Sequence, residues 1–205
     1  MKEIPKFYNC LDETLKEIIS LLFQGFKKRK SNFHNTVLCT VTSDLKPEAR
    51  TVVLRNFSMD DFTIKIHSDK RSNKILDISK NKNTCLVFYD PSKKIQLRVR
   101  GTAVFDDDLK PSWEKLKNWS RRCYLTDLSP GSDSNSATSG FSEKFSNTAP
   151  SLNESEKGFK NFMVIKILIE EIEWLFLASQ GHRRALFKVK RIKSKINLES
   201  KWLIP

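Results

Sequence analysis

Arg50-Thr-Val-Val-Leu-Arg55, His67-Ser-Asp-Lys-Arg-Ser-Asn-Lys74 and Gln96-Leu-Arg-Val-Arg-Gly101 punctuate a block, residues 36–101, that holds five strand signals and one short helix. Each group opens or closes a strand. Thr36-Val-Leu-Cys-Thr-Val-Thr42 is rich in β-branched residues and ends at the turn cluster Ser43-Asp-Leu-Lys-Pro47, after which residues 48–57 again read as strand. That pair predicts a hairpin. Arg50 and Arg55 lie five apart, so an unbroken strand would send them to opposite faces unless a bulge re-aims one. Phe62-Thr-Ile-Lys-Ile-His67 alternates as a strand, and residues 71–80 read as an amphipathic helix carrying Ile75, Leu76 and Ile78, with Ser68 or Asp69 as its cap.

Arg71, Ser72 and Lys74 crowd the first turn of that helix. Cations there oppose the helix dipole unless an anion sits among them, and a phosphate resolves the conflict. In the third group Gln96, Arg98 and Arg100 share one face of a strand, and Gly101 permits close approach or a bulge. A glutamine that both donates and accepts, beside two arginines, suits a polar ring or a phosphate.

In their order and spacing these groups resemble the FMN-binding split barrel of the pyridoxamine 5′-phosphate oxidase family, in the oxidase-related branch of unsettled activity. The resemblance covers residues 33–105 and returns near the C-terminus, where Trp174 and Arg184 keep a family separation of ten. It implies a mainly β fold with flanking helices, a six-stranded antiparallel split β-barrel of Greek-key type. FMN is the implied cofactor. Its phosphate falls to Arg50, Arg71, Ser72 and Lys74, its ring edge to Gln96, and its remaining contacts to Thr51, Val52, Val53, Leu54, Arg55, His67 and Ser68. Trp174 and Arg184 would reach a flavin held mainly by a partner subunit, so a homodimer with FMN at its interface is implied. For a small phosphorylated substrate, such as a B6 vitamer, the implied contacts are Arg55, Arg122, Tyr124 and His182. The sequence departs from the family in placing Arg55 where the substrate lysine stands and Gln180 at the head of the R-x-H motif. No catalytic residue is assigned. The resemblance thus implies an oxidoreductase, with an FMN-binding or flavin-reducing protein of other substrate as the alternative.

Composition sets wider bounds. A chain of 205 residues with 37 Lys+Arg against 24 Asp+Glu, formal charge +13, suits one domain and anionic partners. The excess is scattered, which fits phosphorylated small molecules and solvated surface; nucleic acid is the less favoured partner, since no aromatic-and-basic strand signature accompanies it. Cys10, Cys39, Cys85 and Cys123 lie far apart with no C-x-x-C pair, so neither zinc nor a disulfide framework is expected. No stretch reaches transmembrane length and the first residues lack an apolar leader, so a cytoplasmic setting without membrane contact is the expectation.

Three further segments complete the reading. Leu11, Leu15, Ile18, Ile19, Leu22 and Phe26 recur at helical spacing over residues 11–30, with Asn9 or Asp12 as cap. Residues 111–123 read as one helix bearing Trp113, Leu116 and Trp119. Residues 126–158, dominated by Ser, Asn, Gly and Pro, read as a long mobile loop, with Phe141 and Phe145 as its docking points. Strands follow at residues 162–169, 172–178 and 184–189.

Overall fold

The computed structural model describes residues 4–193 and 195–205. Eight strands, β1 (Asn35–Val41), β2 (Pro47–Ser58), β3 (Thr63–Asp69), β4 (Asn83–Asp90), β5 (Ile95–Phe105), β6 (Phe162–Phe176), β7 (Arg183–Ile192) and β8 (Lys195–Leu203), run in the spatial order β3-β2-β1-β4-β5-β6-β7-β8. Pairing of β3 with β6 closes the first six into an antiparallel barrel. The order 4-1-2-3 of its first four strands is a Greek key.

One strand does the closing. The first half of β6 pairs with β3 on one side while its second half pairs with β7, and β5 lies along the other edge throughout. The two strands expected at residues 162–169 and 172–178 are therefore one. A register shift opposite Arg100 and Gly101 bends β6 between these roles. There the backbones nearly touch: a Cβ on Gly101 would lie 2.2 Å from the Leu168 carbonyl oxygen.

Alternation fills the barrel. Leu38, Leu54, Ile64, Ile66, Leu86, Phe88, Leu97, Val99, Ile165 and Ile167 point inward and are fully buried. Helix α1 (Leu11–Lys27) packs Ile18, Leu21 and Leu22 onto this core. It ends three residues before the expected boundary, and no side chain caps it at Cys10. Helix α2 (Asn73–Lys80) starts two residues later than expected, because Ser72, not Ser68 or Asp69, takes the N-cap position. The single helix expected over residues 111–123 is broken into α3 (Lys110–Glu114), α4 (Asn118–Arg121) and a 3-10 turn Arg122–Tyr124. Trp113 from this region joins Phe162 and Val164 in a second, smaller core.

Residues 126–158, read as a long mobile loop with docking points at Phe141 and Phe145, are folded onto the barrel at several points. Phe145 is buried, and α5 (Leu152–Glu156) begins with a capping box in which Ser151 and Glu154 satisfy each other's backbone amides.

Gly101→Ala is expected to cost about 2–3 kcal/mol, since the neighbour it meets is backbone that cannot turn aside. For a chain of this size that lowers Tm by about 4–12 °C in a thermal unfolding experiment. An unchanged Tm would show that the β5–β6 contact is looser than described.

Candidate functional site

Pairing of β2 with β3 begins only at Leu54, with a register shift between Leu54 and Asn56. Residues 47–53 of β2 pair with β1 on their other side alone, so one backbone edge is left open among the described residues. Beside this edge β3 ends and turns into α2. The resulting cleft, about 330 Å³, is lined along β2 by Arg50, Thr51, Val52, Val53 and Arg55, and across from it by His67, Ser68, Asp69, Ser72 and Lys74. Cys123, Tyr124 and Pro130 form its far wall.

Arg50 follows the inward parity of Val52 and Leu54, at the mouth of the barrel. Its guanidinium donates to Thr40 Oγ1 at 2.6 Å and lies 3.4 Å from Asp77 Oδ2, which also accepts from Thr40 at 2.8 Å. Arg55 faces outward beside the bulge. Both arginines nevertheless line the same cleft, as they can only where the strand is irregular.

The turn after β3 gathers hydroxyls and a second cation. Ser68 Oγ and Ser72 Oγ stand 3.0 Å apart, and Lys74 Nζ donates to both, at 3.3 and 3.1 Å. Among the described residues Lys74 pairs with no carboxylate. Burial, and then the charge of Arg50, hold its ammonium below the ordinary lysine value. No side chain caps α2, so its first amides stay available beside this cation. Two cations, two hydroxyls and free helix amides in a half-buried turn make a cradle for an anion. A phosphate monoester fits this donor set.

His67 lies at the other end of the cleft. Its Nδ1 is buried without a partner, its ring meets Phe162 edge-on at 4.9 Å, and burial with the nearby charges of Arg55 and Lys65 pushes its pKa down to about 3. It is a neutral imidazole at physiological pH. Tyr124 packs on Trp113 and Phe162, and burial pushes its phenol up, so it remains a proton donor.

Several expected residues are placed elsewhere. Arg71 grips Asp69 with two nitrogens, Nε at 3.0 Å and Nη2 at 2.7 Å, and donates to the Thr126 and Asp127 carbonyls at 3.1 Å. It fastens the segment that carries Pro130 and does not line the cleft. Trp174 is fully buried in the barrel core against Phe7 and Phe176, and the outward position there belongs to Glu173. Arg122 stacks on Trp119 at 3.5 Å and donates to the Phe145 and Ser146 carbonyls, which commits it to holding residues 141–146. His182 is exposed on the β6–β7 turn, pinned where Tyr8 Oη donates to the Gly181 carbonyl at 2.8 Å. Gln96 and Arg184 sit on the outer face of the sheet, where Glu173 binds Arg98 at 2.5 Å and Arg184 at 2.9 Å. Leu54 points into the core.

Sequence reading missed the two carboxylates that sort the cations. Asp69 stands two residues before Arg71 in a tight turn, a spacing that favours local pairing. Asp77, far from Arg50 in sequence, gave no such signal.

Residues 15–107 match the family model described as pyridoxamine 5′-phosphate oxidase, FMN-binding domain. Among curated proteins, the pyridoxine/pyridoxamine 5′-phosphate oxidase of Leptospira interrogans is 38% identical over 67 residues, 33% of this chain and 30% of that protein. The protein of the same name from Leptospira biflexa is 33% identical over 88 residues, 42% and 41% of the two chains. The chain thus spans less than half the length of the curated relatives it matches. Among solved structures, a pyridoxamine 5′-phosphate oxidase-related, FMN-binding protein from Nostoc punctiforme superposes with TM-score 0.72 at 21% identity, covering 93% and 96% of the chains. PhzG from Burkholderia lata, in complex with tetrahydrophenazine-1-carboxylic acid, gives 0.71 at 14% identity, covering 99% and 98%. At such identities the likeness concerns the fold.

The neutral His67 has a consequence for stability. Below pH 6.5 the unfolded chain takes up a proton that the folded chain refuses until about pH 3. Stability therefore falls as pH drops through this window, by at most about 1.4 kcal/mol per pH unit from this group. His67→Gln is expected to flatten the fall of Tm between pH 7 and pH 5; equal slopes for variant and parent would show that the imidazole is solvated.

Proposed function

We propose, from the match of residues 15–107 to the model of the pyridoxamine 5′-phosphate oxidase FMN-binding domain family, that the chain is an FMN-dependent oxidoreductase acting on a small substrate as a homodimer. The observation that carries this reading is the meeting of Arg50, Lys74, Ser68 and Ser72 at the uncapped start of α2, beside the open edge of β2. An anion there offsets the repulsion between the two cations and takes the free amides.

In this arrangement Arg50 and Lys74 hold the FMN phosphate while the two serines orient it. The unpaired backbone of residues 50–53 offers donors and acceptors to the ring system, with Val52 and Val53 as apolar wall. Bound FMN would supply the redox chemistry, taking a hydride from an amine- or alcohol-bearing carbon and passing electrons to oxygen. Arg55, exposed at the bulge, holds an anionic group of the substrate. Tyr124, kept protonated, donates a hydrogen bond across the cleft, and His67 stays neutral at its other end.

A second copy of the chain completes the proposal. The outer face of β1 and β4 carries Val37 and Tyr89, 37% and 46% exposed, with the half-exposed Cys39, Cys85 and Val87. Gln96 and Arg184 lie on this outer sheet surface and would meet the partner's flavin. Such a face suits self-association, expected as a dimer in analytical ultracentrifugation.

Arg122 favours a second reading, in which the protein binds FMN but acts on a substrate other than a B6 vitamer phosphate. Its commitment to Phe145 and Ser146 leaves Arg55 as the cation best placed for a substrate. Oxygen uptake by the FMN-loaded protein with pyridoxamine or pyridoxine 5′-phosphate separates the two: uptake supports the first, and bound FMN without uptake supports the second.

FMN binding has its own test. Lys74→Met and Arg50→Ala are each expected to weaken FMN by about 10- to 100-fold, the worth of one charge-assisted hydrogen bond. Without FMN, Lys74→Met should match or exceed the parent in Tm, because it removes a half-buried charge that Arg50 repels. A parent protein that is colourless and shows no rise in Tm with FMN would overturn the proposal.

A further inference from the structure

The anion cradle opens on two sides. Behind Arg50, Ser72, Lys74 and Pro130, which it shares with the cleft along β2, lies a larger cleft of about 690 Å³. Its floor is one face of α2, on which Asn73, Leu76, Asp77 and Lys80 follow at i, i+3, i+4 and i+7. That face runs about 12 Å from the cradle to the end of the helix. Thr42, Ser43 and Glu48 form the opposite wall, and Gly131 continues the roof.

Its chemistry changes along this length. Next to the cradle the wall is polar and of mixed charge, Arg50 and Lys74 standing with Glu48 and with Asp77, whose carboxylate Arg50 and Thr40 already hold. Lys80 adds a positive charge at the far end, unpaired among the described residues, and Leu76 between it and the cradle is 65% exposed, an apolar platform on an otherwise polar surface. The opposite face of α2 already supplies the core with Ile75 and Ile78, so packing does not account for Leu76. A lone phosphate monoester would leave this whole extension unused.

Resting on the flavin reading above, we infer that the site accepts a flavin extended beyond its phosphate, a flavin adenine dinucleotide, as well as FMN. The first phosphate takes the cradle of Arg50 and Lys74. The second lies over the α2 face toward Lys80, the added ribose meets the hydroxyls and carboxylate of Thr42, Ser43 and Glu48, and the adenine rests on Leu76 beneath Pro130.

Equilibrium dialysis of the full chain against FMN and FAD, repeated on Lys80→Gln and Leu76→Asn, tests the assignment. For the parent the FAD dissociation constant is expected within about threefold of the FMN value, or below it. The double variant should weaken FAD by about tenfold or more and change FMN by less than about twofold, since neither residue lines the cradle. FMN binding together with FAD weaker by more than threefold in the parent overturns the inference and leaves the FMN reading standing. An equal loss for both ligands in the double variant also overturns it. If neither flavin binds the parent, the underlying flavin reading has failed and the extension with it.

Discussion

The point at which β3 parts from β2 governs the rest of the site. β3 is paired along its whole length to β6, which closes the barrel, but on its other edge it keeps β2 only as far as Ile66 before the chain turns into α2. Residues 47–53 of β2 are left with one open edge. Unpaired backbone groups are tolerated only where water or a ligand can reach them, so the edge must border a cleft. The register shift at Leu54 and Asn56 turns Arg55 toward that cleft while Arg50 reaches it from the barrel mouth.

Carboxylates then decide what each cation does. Asp77 and Thr40 fix the Arg50 guanidinium without neutralising the region, since Lys74 nearby has only hydroxyl partners. Asp69 takes Arg71 out of the cradle and makes it the fastening for residues 126–131. The difference is one of magnitude as well as place. A charge-assisted hydrogen bond to a desolvated anion is worth about 1.5–3 kcal/mol, whereas an exposed ion pair is worth about 0–1 kcal/mol. Leaving Lys74 without a carboxylate keeps the stronger interaction available to a ligand.

Much of this was legible beforehand. The strands of the central block follow from β-branched alternation, and the order of the polar groups pointed to a split barrel and to Arg50, Ser72 and Lys74 as neighbours. Arg71 was not separable from them, because motif spacing does not say which cation a nearby Asp69 will capture. Trp174 shows a different limit. Ile165, Ile167 and Ile169 point inward at odd positions, but after the irregularity opposite Arg100 and Gly101 the inward residues are Ile172, Trp174 and Phe176. One extra residue reverses the parity, and with it the side of the sheet on which an aromatic falls. Ser and Asn content hid α5, although the Ser151-x-x-Glu154 capping box was there to be read.

The same parity reversal decides what the outer face of the sheet presents. It turns Glu173 outward, where the carboxylate is all but buried between Arg98 and Arg184. Two arginines held by one carboxylate leave a net positive, rigid patch on the outer face of β5, β6 and β7, beside Gln96. Along β1 and β4 the same face is apolar at Val37, Val87 and Tyr89, although the strands already bury Leu38, Leu86 and Phe88 inside the barrel. A sheet apolar on both faces is ordinarily covered on both. A second barrel laid on this face would cover the valines and bring the fixed arginines and Gln96 toward the cleft of the other chain. The irregularity in β5 and β6 thereby also sets which groups the chain turns to the outer face of its sheet.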